Sequence, residues 1–236
     1  MLGEVSNLRV VLLVRISGSI RRIGLRVSQG FFARGLHFFD LLGGRLAGAV
    51  ARFALDADQD RRAARRLVGL AKETGARIHV LHVTTREEME YLRFHKDVAT
   101  VEITPQHLTL VGPEAYERLG SYAQMNPPIR SQEHVDALWL WGMQQGVADV
   151  LGSDHAPHTK EEKDRGWADM WSCPGGEPQI QDYLRLFLNA VNEGKLSLDT
   201  LVRISSYNAA KIFNVYPQKG VLLPGSDADM VIVDMN

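Results

Sequence analysis

The sequence predicts an α/β protein built on a parallel sheet or barrel, and three observations carry that prediction. From residue 56 onward, stretches of helical and strand periodicity alternate, the pattern of strand–helix units joined by right-handed crossovers. Val147–Leu151 is a short apolar run of the kind buried inside a parallel sheet. Chemically capable residues gather directly after the strand-like segments, where folds of this class carry their chemistry.

The elements follow in order. In Arg61–Thr74, Ala64, Leu67, Val68 and Ala71 share one helical face, and Gly75 stops the helix. Ile78–Val83 reads as a strand. Thr85 and Glu88 form a capping-box pair opening a helix that buries Met89 and Leu92. Ala99–Ile103 is a second strand, ended by Thr104-Pro105. Ser131 caps a helix with Val135, Leu138 and Trp139 inward, and Val147–Leu151 is the third strand. Ile180, Leu184, Phe187, Leu188 and Val191 mark the cleanest amphipathic helix, stopped by Gly194. Ser197–Ser206 and Asn208–Phe213 read as further helices, Pro224-Gly225 as a turn and Met230–Asp234 as a closing strand.

Composition narrows the class of function. The 236 residues include one cysteine, Cys173, which excludes an intramolecular disulfide and any cysteine-cluster zinc site and fits a reducing, cytoplasmic setting. A formal net charge of −1 gives no general pull towards nucleic acid or anionic membrane. The apolar run Val10–Val14, closed by Arg15, falls far short of the about 20 residues a membrane span needs. Charge is unevenly shared: residues 1–55 hold eight Arg, no Lys and only Glu4 and Asp40 as acids, whereas the rest sums to −7. That first segment has apolar clusters, Val10–Val14, Phe31–Phe32 and Phe38–Leu42, without a sustained helical or strand period. Three readings stay open for it: an Arg-rich targeting or basic tail, a divergent part of the fold, or sequence unrelated to the fold. It is expected to pack irregularly against the remainder.

The strand ends hold the candidate chemistry. His82 lies near the end of the first strand; His79, three residues earlier, falls on the opposite face of a regular strand, so the two cannot chelate one ion. The second strand runs into Glu102-Ile103-Thr104-Pro105-Gln106-His107, with Asn126-Pro127-Pro128-Ile129-Arg130 further on. The third ends in Gly152-Ser153-Asp154-His155-Ala156-Pro157-His158. An aspartate directly after a buried strand, as Asp154 is, can ligate a metal and act as general base on metal-bound water. His155 and His158 would add a ligand or an anion donor. A loop-capping aspartate beside solvated histidines is the plainer alternative.

With those motifs in place, residues 56–236 resemble the C-terminal half of a dihydroorotase, in the cyclic-amidohydrolase superfamily. The resemblance is carried by His82-Val83-Thr84-Thr85, Glu102 through His107, Asn126 through Arg130 and Ser153 through His158. The ending from Lys219-Gly220-Val221 through Asp227-Ala228-Asp229 to Val233-Asp234 matches a tail shared across the superfamily. The resemblance implies a partial TIM barrel of the metal-dependent amidohydrolase type, its last strand–helix units at residues 56–219. The strand of a small β subdomain would follow at 220–236, and residues 1–55 do not match. The implied reaction is hydrolysis or closure of a cyclic amide, dihydroorotate to N-carbamoyl-aspartate, in pyrimidine biosynthesis. By resemblance, His82 would bind one metal of a two-zinc centre. Asp154 would bind the other and carry a proton to the leaving ring nitrogen. Asn126 and His158 would hold the substrate, His158 near its carboxylate. His107 belongs to a family motif without an assigned metal role, and Gln106 stands where a histidine is common. Pro174-Gly175-Gly176-Glu177 takes the place of a substrate-facing loop.

The sequence also departs from the family pattern. No His-x-His pair occurs among its eight histidines, and the bridging carboxylate, a further histidine and the substrate-gripping arginine are not recognised. The expectation is a truncated chain whose metal centre is incomplete, which binds zinc weakly and turns over little alone. Strand edges left uncovered would favour self-association, including a homo-oligomer. Two alternatives stand beside this reading. One is a non-catalytic dihydroorotase-like partner of aspartate carbamoyltransferase. The other is a hydantoinase or allantoinase, with the same chemistry on a different ring.

Overall fold

The helices Ala57–Thr74, Arg86–Leu92 and Tyr183–Asn192 turn apolar faces to a cluster that includes a small parallel sheet, and that burial organises the molecule. The computed structural model describes residues 9–16, 19–26 and 57–235, with side chains described from Asp60 onward. Strands β1 (Arg9–Ile16) and β2 (Ser19–Arg26) pair antiparallel, Arg9 opposite Arg26 and Ile16 opposite Ser19, in a two-stranded sheet of their own. These residues thus hold regular strand pairing although their apolar positions show no sustained period. A ladder between neighbouring strands satisfies the main chain whether or not apolar positions alternate, and the Val- and Ile-rich run favours extended backbone. The rest of residues 1–55 lies outside the described residues.

Helix α1 (Ala57–Thr74) buries Ala64, Val68 and Ala71, and Gly75 ends it with a φ of +67° that suits glycine. Strands β3 (Ile78–Val80), β4 (Ala99–Ile103) and β5 (Val150–Leu151) form a parallel sheet in the order β3-β4-β5. Ile78 faces Ala99 and Glu102 faces Val150. The second strand has its expected bounds; the other two are shorter than expected. The chain leaves β3 before His82, whose φ is +39°. Ahead of β5, the main-chain N–H groups of Val147 and Ala148 turn back to the Trp141 and Gly142 carbonyls of the preceding helix.

Between the strands, α2 (Arg86–Leu92) opens on the expected capping box, with both reciprocal Thr85–Glu88 bonds present, and buries Met89 and Leu92. Short helices α3 (Pro105–Thr109) and α4 (Glu114–Leu119) follow β4. Helix α5 (Gln132–Ala137) starts after Ser131, which makes no side-chain cap bond, and runs into a π-helical stretch, Leu138–Gln144. After β5 come α6 (Lys160–Asp164), α7 (Tyr183–Asn192), α8 (Leu198–Val202), a second π-helical stretch (Arg203–Tyr207) and α9 (Asn208–Ile212). Ile180 precedes α7 and is exposed, so the apolar face of that helix begins later than expected.

Val68, Met89, Leu92, Val101, Ile103, Leu138, Met143 and Phe187 belong to one buried cluster between sheet and helices. The rings of Trp139 and Tyr183 lie 6.3 and 6.2 Å from that of Phe187. A second cluster, Ala115, Tyr116, Ala123, Met125 and Ile129, underlies the loop that carries Asn126. The expected strand Met230–Asp234 is not formed: Met230, Val231 and Ile232 are exposed and have no ladder partner among the described residues. A strand exists only by pairing its backbone, which apolar composition alone does not supply.

Candidate active site

The parallel order brings the C-terminal ends of β3, β4 and β5 to one rim. His82 follows β3 and Asp154 follows β5. They are two of the three non-glycine residues with positive φ among the described residues, at +39° and +44°, the third being Asn214. Left-handed backbone costs a residue with a Cβ about 1–2 kcal/mol, and such conformations concentrate at functional sites. Here they turn the chain off each strand at the residue of interest.

Glu102, at the end of β4, links the two sides of the rim. Its Oε1 accepts a hydrogen bond from the His82 main-chain N at 3.4 Å, and its Oε2 lies 3.5 Å from His79 Nε2. Strand alternation had separated His79 from His82. Because β3 ends at Val80, that rule does not reach His82, and one carboxylate meets the ring of the first and the backbone of the second. Glu102 also lies against Gly152, where an added Cβ would fall 2.5 Å from its carboxyl carbon. A glycine at this point of the third strand's exit is therefore what lets the carboxylate sit there.

The carboxyl group of Asp154 is pushed above the ordinary aspartate range, first by desolvation, with Glu102 adding and His82 opposing. His82 and Asp154 thus share the rim within electrostatic reach of each other. Asp154, Asn126 and His158 are all exposed. His158 Nδ1 lies 3.6 Å from Glu162. His155 serves differently: its Nδ1 accepts from the main-chain N–H groups of Gln179 and Ile180 at 3.0 and 3.2 Å, so that nitrogen anchors a loop.

The Asn126 loop is held from below. His107 is buried, with Nδ1 2.6 Å from Thr104 Oγ1 and Nε2 2.9 Å from the Pro127 carbonyl oxygen. A carbonyl can only accept, so Nε2 carries the proton and Nδ1 receives the threonine hydroxyl. Burial pushes the imidazole down to about 3, so it stays neutral. Arg130, also buried, donates from Nε to Thr84 Oγ1 at 3.2 Å and pairs through Nη2 with Asp60 on α1. Glu88 accepts from the main-chain N–H groups of Thr84 and Thr85 and from the Thr85 hydroxyl.

A second loop closes on the same asparagine. A Cβ at Gly175 would lie 3.1 Å from Asn126 Nδ2, and the Gly176 N–H donates to the Gln124 carbonyl at 2.9 Å. The Ala156 N–H donates to the Glu177 carbonyl at 3.1 Å, and Gln106 Nε2 donates to the Ser153 carbonyl at 3.1 Å. The motif loops, quoted separately from the sequence, are therefore tied directly to each other. Glu102, Gln106 and Glu177 stand in quoted motifs, but sequence reasoning attached no role to them. Lys163, buried on α6, went unnoticed altogether.

As a metal centre the described residues are incomplete. Among them no group of three or more His, Cys, Asp or Glu side chains is arranged to hold a metal ion. A catalytic zinc takes about three protein ligands beside its water. His82 and Asp154 alone do not fit that requirement.

Known proteins resemble this chain. The family model for the amidohydrolase family matches residues 50–236. An L-hydantoinase of Paenarthrobacter aurescens is 39% identical over 182 residues, covering 75% of this chain and 39% of the relative. A dihydroorotase of Methanosphaera stadtmanae is 36% identical over 178 residues, with coverage of 73% and 39%. Among solved structures, the L-hydantoinase from Arthrobacter aurescens superposes with a TM-score of 0.73 at 37% identity, over 79% of this chain and 42% of that one. The chain spans about two fifths of the length of the curated relatives it matches. The resemblance to dihydroorotases holds, and hydantoinases stand equally near. No helix among the described residues is long and apolar enough to cross a membrane.

Proposed function

The chain belongs to the amidohydrolase family, and from that premise we propose that it carries the C-terminal part of a dihydroorotase-type site. The reaction is the hydrolysis or closure of a cyclic amide, dihydroorotate to N-carbamoyl-aspartate, in pyrimidine biosynthesis. Residues 56–219 are read as strand–helix units of a TIM barrel and 220–236 as part of a small β subdomain. The observation that carries the reading is Asp154, past the end of β5 on the rim that also bears His82, with its carboxyl raised.

In this reading the whole site uses zinc, with His82 and Asp154 among its ligands, and the remaining donors come from outside the described residues. What this chain's own residues contribute is proton movement and grip. Asp154 takes a proton from the attacking water and returns it to the ring nitrogen as the carbon–nitrogen bond breaks. Asn126 offers both a donor and an acceptor to a ring amide, and His158 a donor to the substrate carboxylate.

The similarity to the Paenarthrobacter L-hydantoinase supports a second reading, the same chemistry on a hydantoin ring. Zinc stoichiometry and turnover of dihydroorotate and of hydantoin, measured on the 236-residue chain and its Asp154→Ala variant, test both. Each is assayed alone and with the N-terminal part of a dihydroorotase relative supplied in trans. The chain alone should bind zinc weakly and turn over little. With the added part, dihydroorotate should be opened, and Asp154→Ala should abolish this. Hydantoin turnover instead would select the second reading, and activity indifferent to Asp154→Ala would refute the role given to that residue.

A further inference from the structure

We propose that Lys163 is a positioning residue for the substrate-facing side of this site: its buried ammonium joins two loops and so fixes the carboxamide of Asn126. The proposal rests on the reading of Asn126 as a substrate-holding residue.

Lysine is almost never fully buried unless its charge is satisfied, yet Lys163 is 4% exposed. It lies on α6, whose start is set by the reciprocal Thr159–Glu162 capping box directly after His158. Its Nζ donates to the Gln124 carbonyl at 2.9 Å and to the Pro174 carbonyl at 3.0 Å. Neither acceptor belongs to its own helix. Gln124 stands two residues before Asn126, and Pro174 opens the loop that runs to Glu177. The same Gln124 carbonyl takes a second bond, from the Gly176 N–H at 2.9 Å. One ammonium therefore gathers the two segments at the point where Gly175 comes against the Asn126 carboxamide.

The surroundings show why a charge is needed here. Glu177, 8% exposed, has an Oε1 that is buried without a hydrogen-bond partner, and its carboxylate acts on Lys163 electrostatically. An apolar residue would fill this space with less desolvation cost, but it could not satisfy two carbonyls from separate loops. Hydrogen bonds from a charged donor are roughly twice as strong as neutral ones. A helix placed immediately after His158 thus reaches under the loop that carries Asn126, and the two substrate-holding residues are registered to each other through one side chain.

The test uses the full chain, with three readouts: the nuclear magnetic resonance signal of the Asn126 carboxamide, the labelling rate of Cys173 by a thiol reagent, and dihydroorotate affinity by calorimetry. Cys173 is buried, with Sγ 3.8 Å from the Lys163 carbonyl, so it reports whether the loops stay closed. Lys163→Met keeps the aliphatic stem and removes the charge. It should move and broaden the Asn126 signal, speed Cys173 labelling, and weaken dihydroorotate binding by about tenfold or more. A folded Lys163→Met chain with the Asn126 signal and Cys173 labelling unchanged overturns the proposal. If Lys163→Met does not fold, Lys163→Gln decides, because its shorter neutral amide cannot reproduce the two bonds to the Gln124 and Pro174 carbonyls; an unmoved Asn126 signal with unchanged Cys173 labelling there overturns it as well. If the unaltered chain, with the N-terminal part of a dihydroorotase relative supplied in trans, binds no dihydroorotate, the functional reading fails, while the Asn126 signal and the Cys173 rate still decide the positioning role.

Discussion

Acidifying the solution from about pH 7 to about pH 5 should remove stability that a neutral His107 contributes, and the size of that loss follows from its surroundings. The buried imidazole is held neutral, its proton affinity pushed from 6.5 to about 3. In the unfolded chain the same group takes up a proton below about 6.5. Between those values the unfolded state binds more protons, so stability is full above 6.5 and is lost as pH falls towards about 3, at about 1.4 kcal/mol per pH unit. By pH 5 the loss from this residue is about 2 kcal/mol. Glu177 works against it. Burial pushes its carboxyl up from 4.5 to about 7, so it keeps a proton the unfolded chain releases, and its contribution is lost as pH rises through that window. The net slope of the unaltered protein is therefore not diagnostic, and a difference between variants is. His107→Gln keeps an N–H for the Pro127 carbonyl and cannot titrate. Urea unfolding of both proteins across this pH range should show the unaltered chain losing about 2 kcal/mol more than His107→Gln. Parallel curves, within about 0.5 kcal/mol, would refute the linkage.

Other perturbations test the packing and the rim. Phe187→Ala removes a ring that is 1% exposed at the centre of the main cluster and should cost about 3–5 kcal/mol in denaturant unfolding. Arg130→Met leaves Asp60 without its guanidinium partner and should cost about 3 kcal/mol, with hydrogen exchange rising first along α1. Gly152→Ala drives a methyl to 2.5 Å from the Glu102 carboxyl carbon and should cost about 1–3 kcal/mol. It should also shift the His82 amide resonance, which an undisturbed Glu102 would leave in place.

Features decided within a few neighbouring residues were legible before the fold was known. The bounds of β4 follow from residues that alternate between buried and half-buried and from Thr104-Pro105 at its end, and both partners of the Thr85–Glu88 box lie within one turn. The ends of β3 and β5 were not legible, because they depend on a left-handed histidine and on carbonyls of the preceding helix. Neither leaves a mark in hydrophobic pattern. Met230–Asp234 has the composition of a strand but no neighbour among the described residues completes it. At the site, His82 and Asp154 stood out as motif residues at strand ends and Asn126 as part of a loop motif. Lys163 did not, since its importance lies in a carbonyl 39 residues away, and a lysine on a five-residue helix reads as solvent-facing.

The strand order has a consequence for how the chain reaches this arrangement. In β3-β4-β5 each strand sits beside the next one in sequence, so the sheet closes through Ile78 meeting Ala99 and then Glu102 meeting Val150, loops of 21 and 48 residues. Closure entropy grows only with the logarithm of loop length, so the second step costs about 0.7 kcal/mol more than the first. Parallel pairings across such separations are non-local and slow to form compared with the helices between them. The parallel sheet and the rim that holds His82, Glu102 and Asp154 can therefore assemble in the order in which the ribosome delivers them, each strand docking on one already in place.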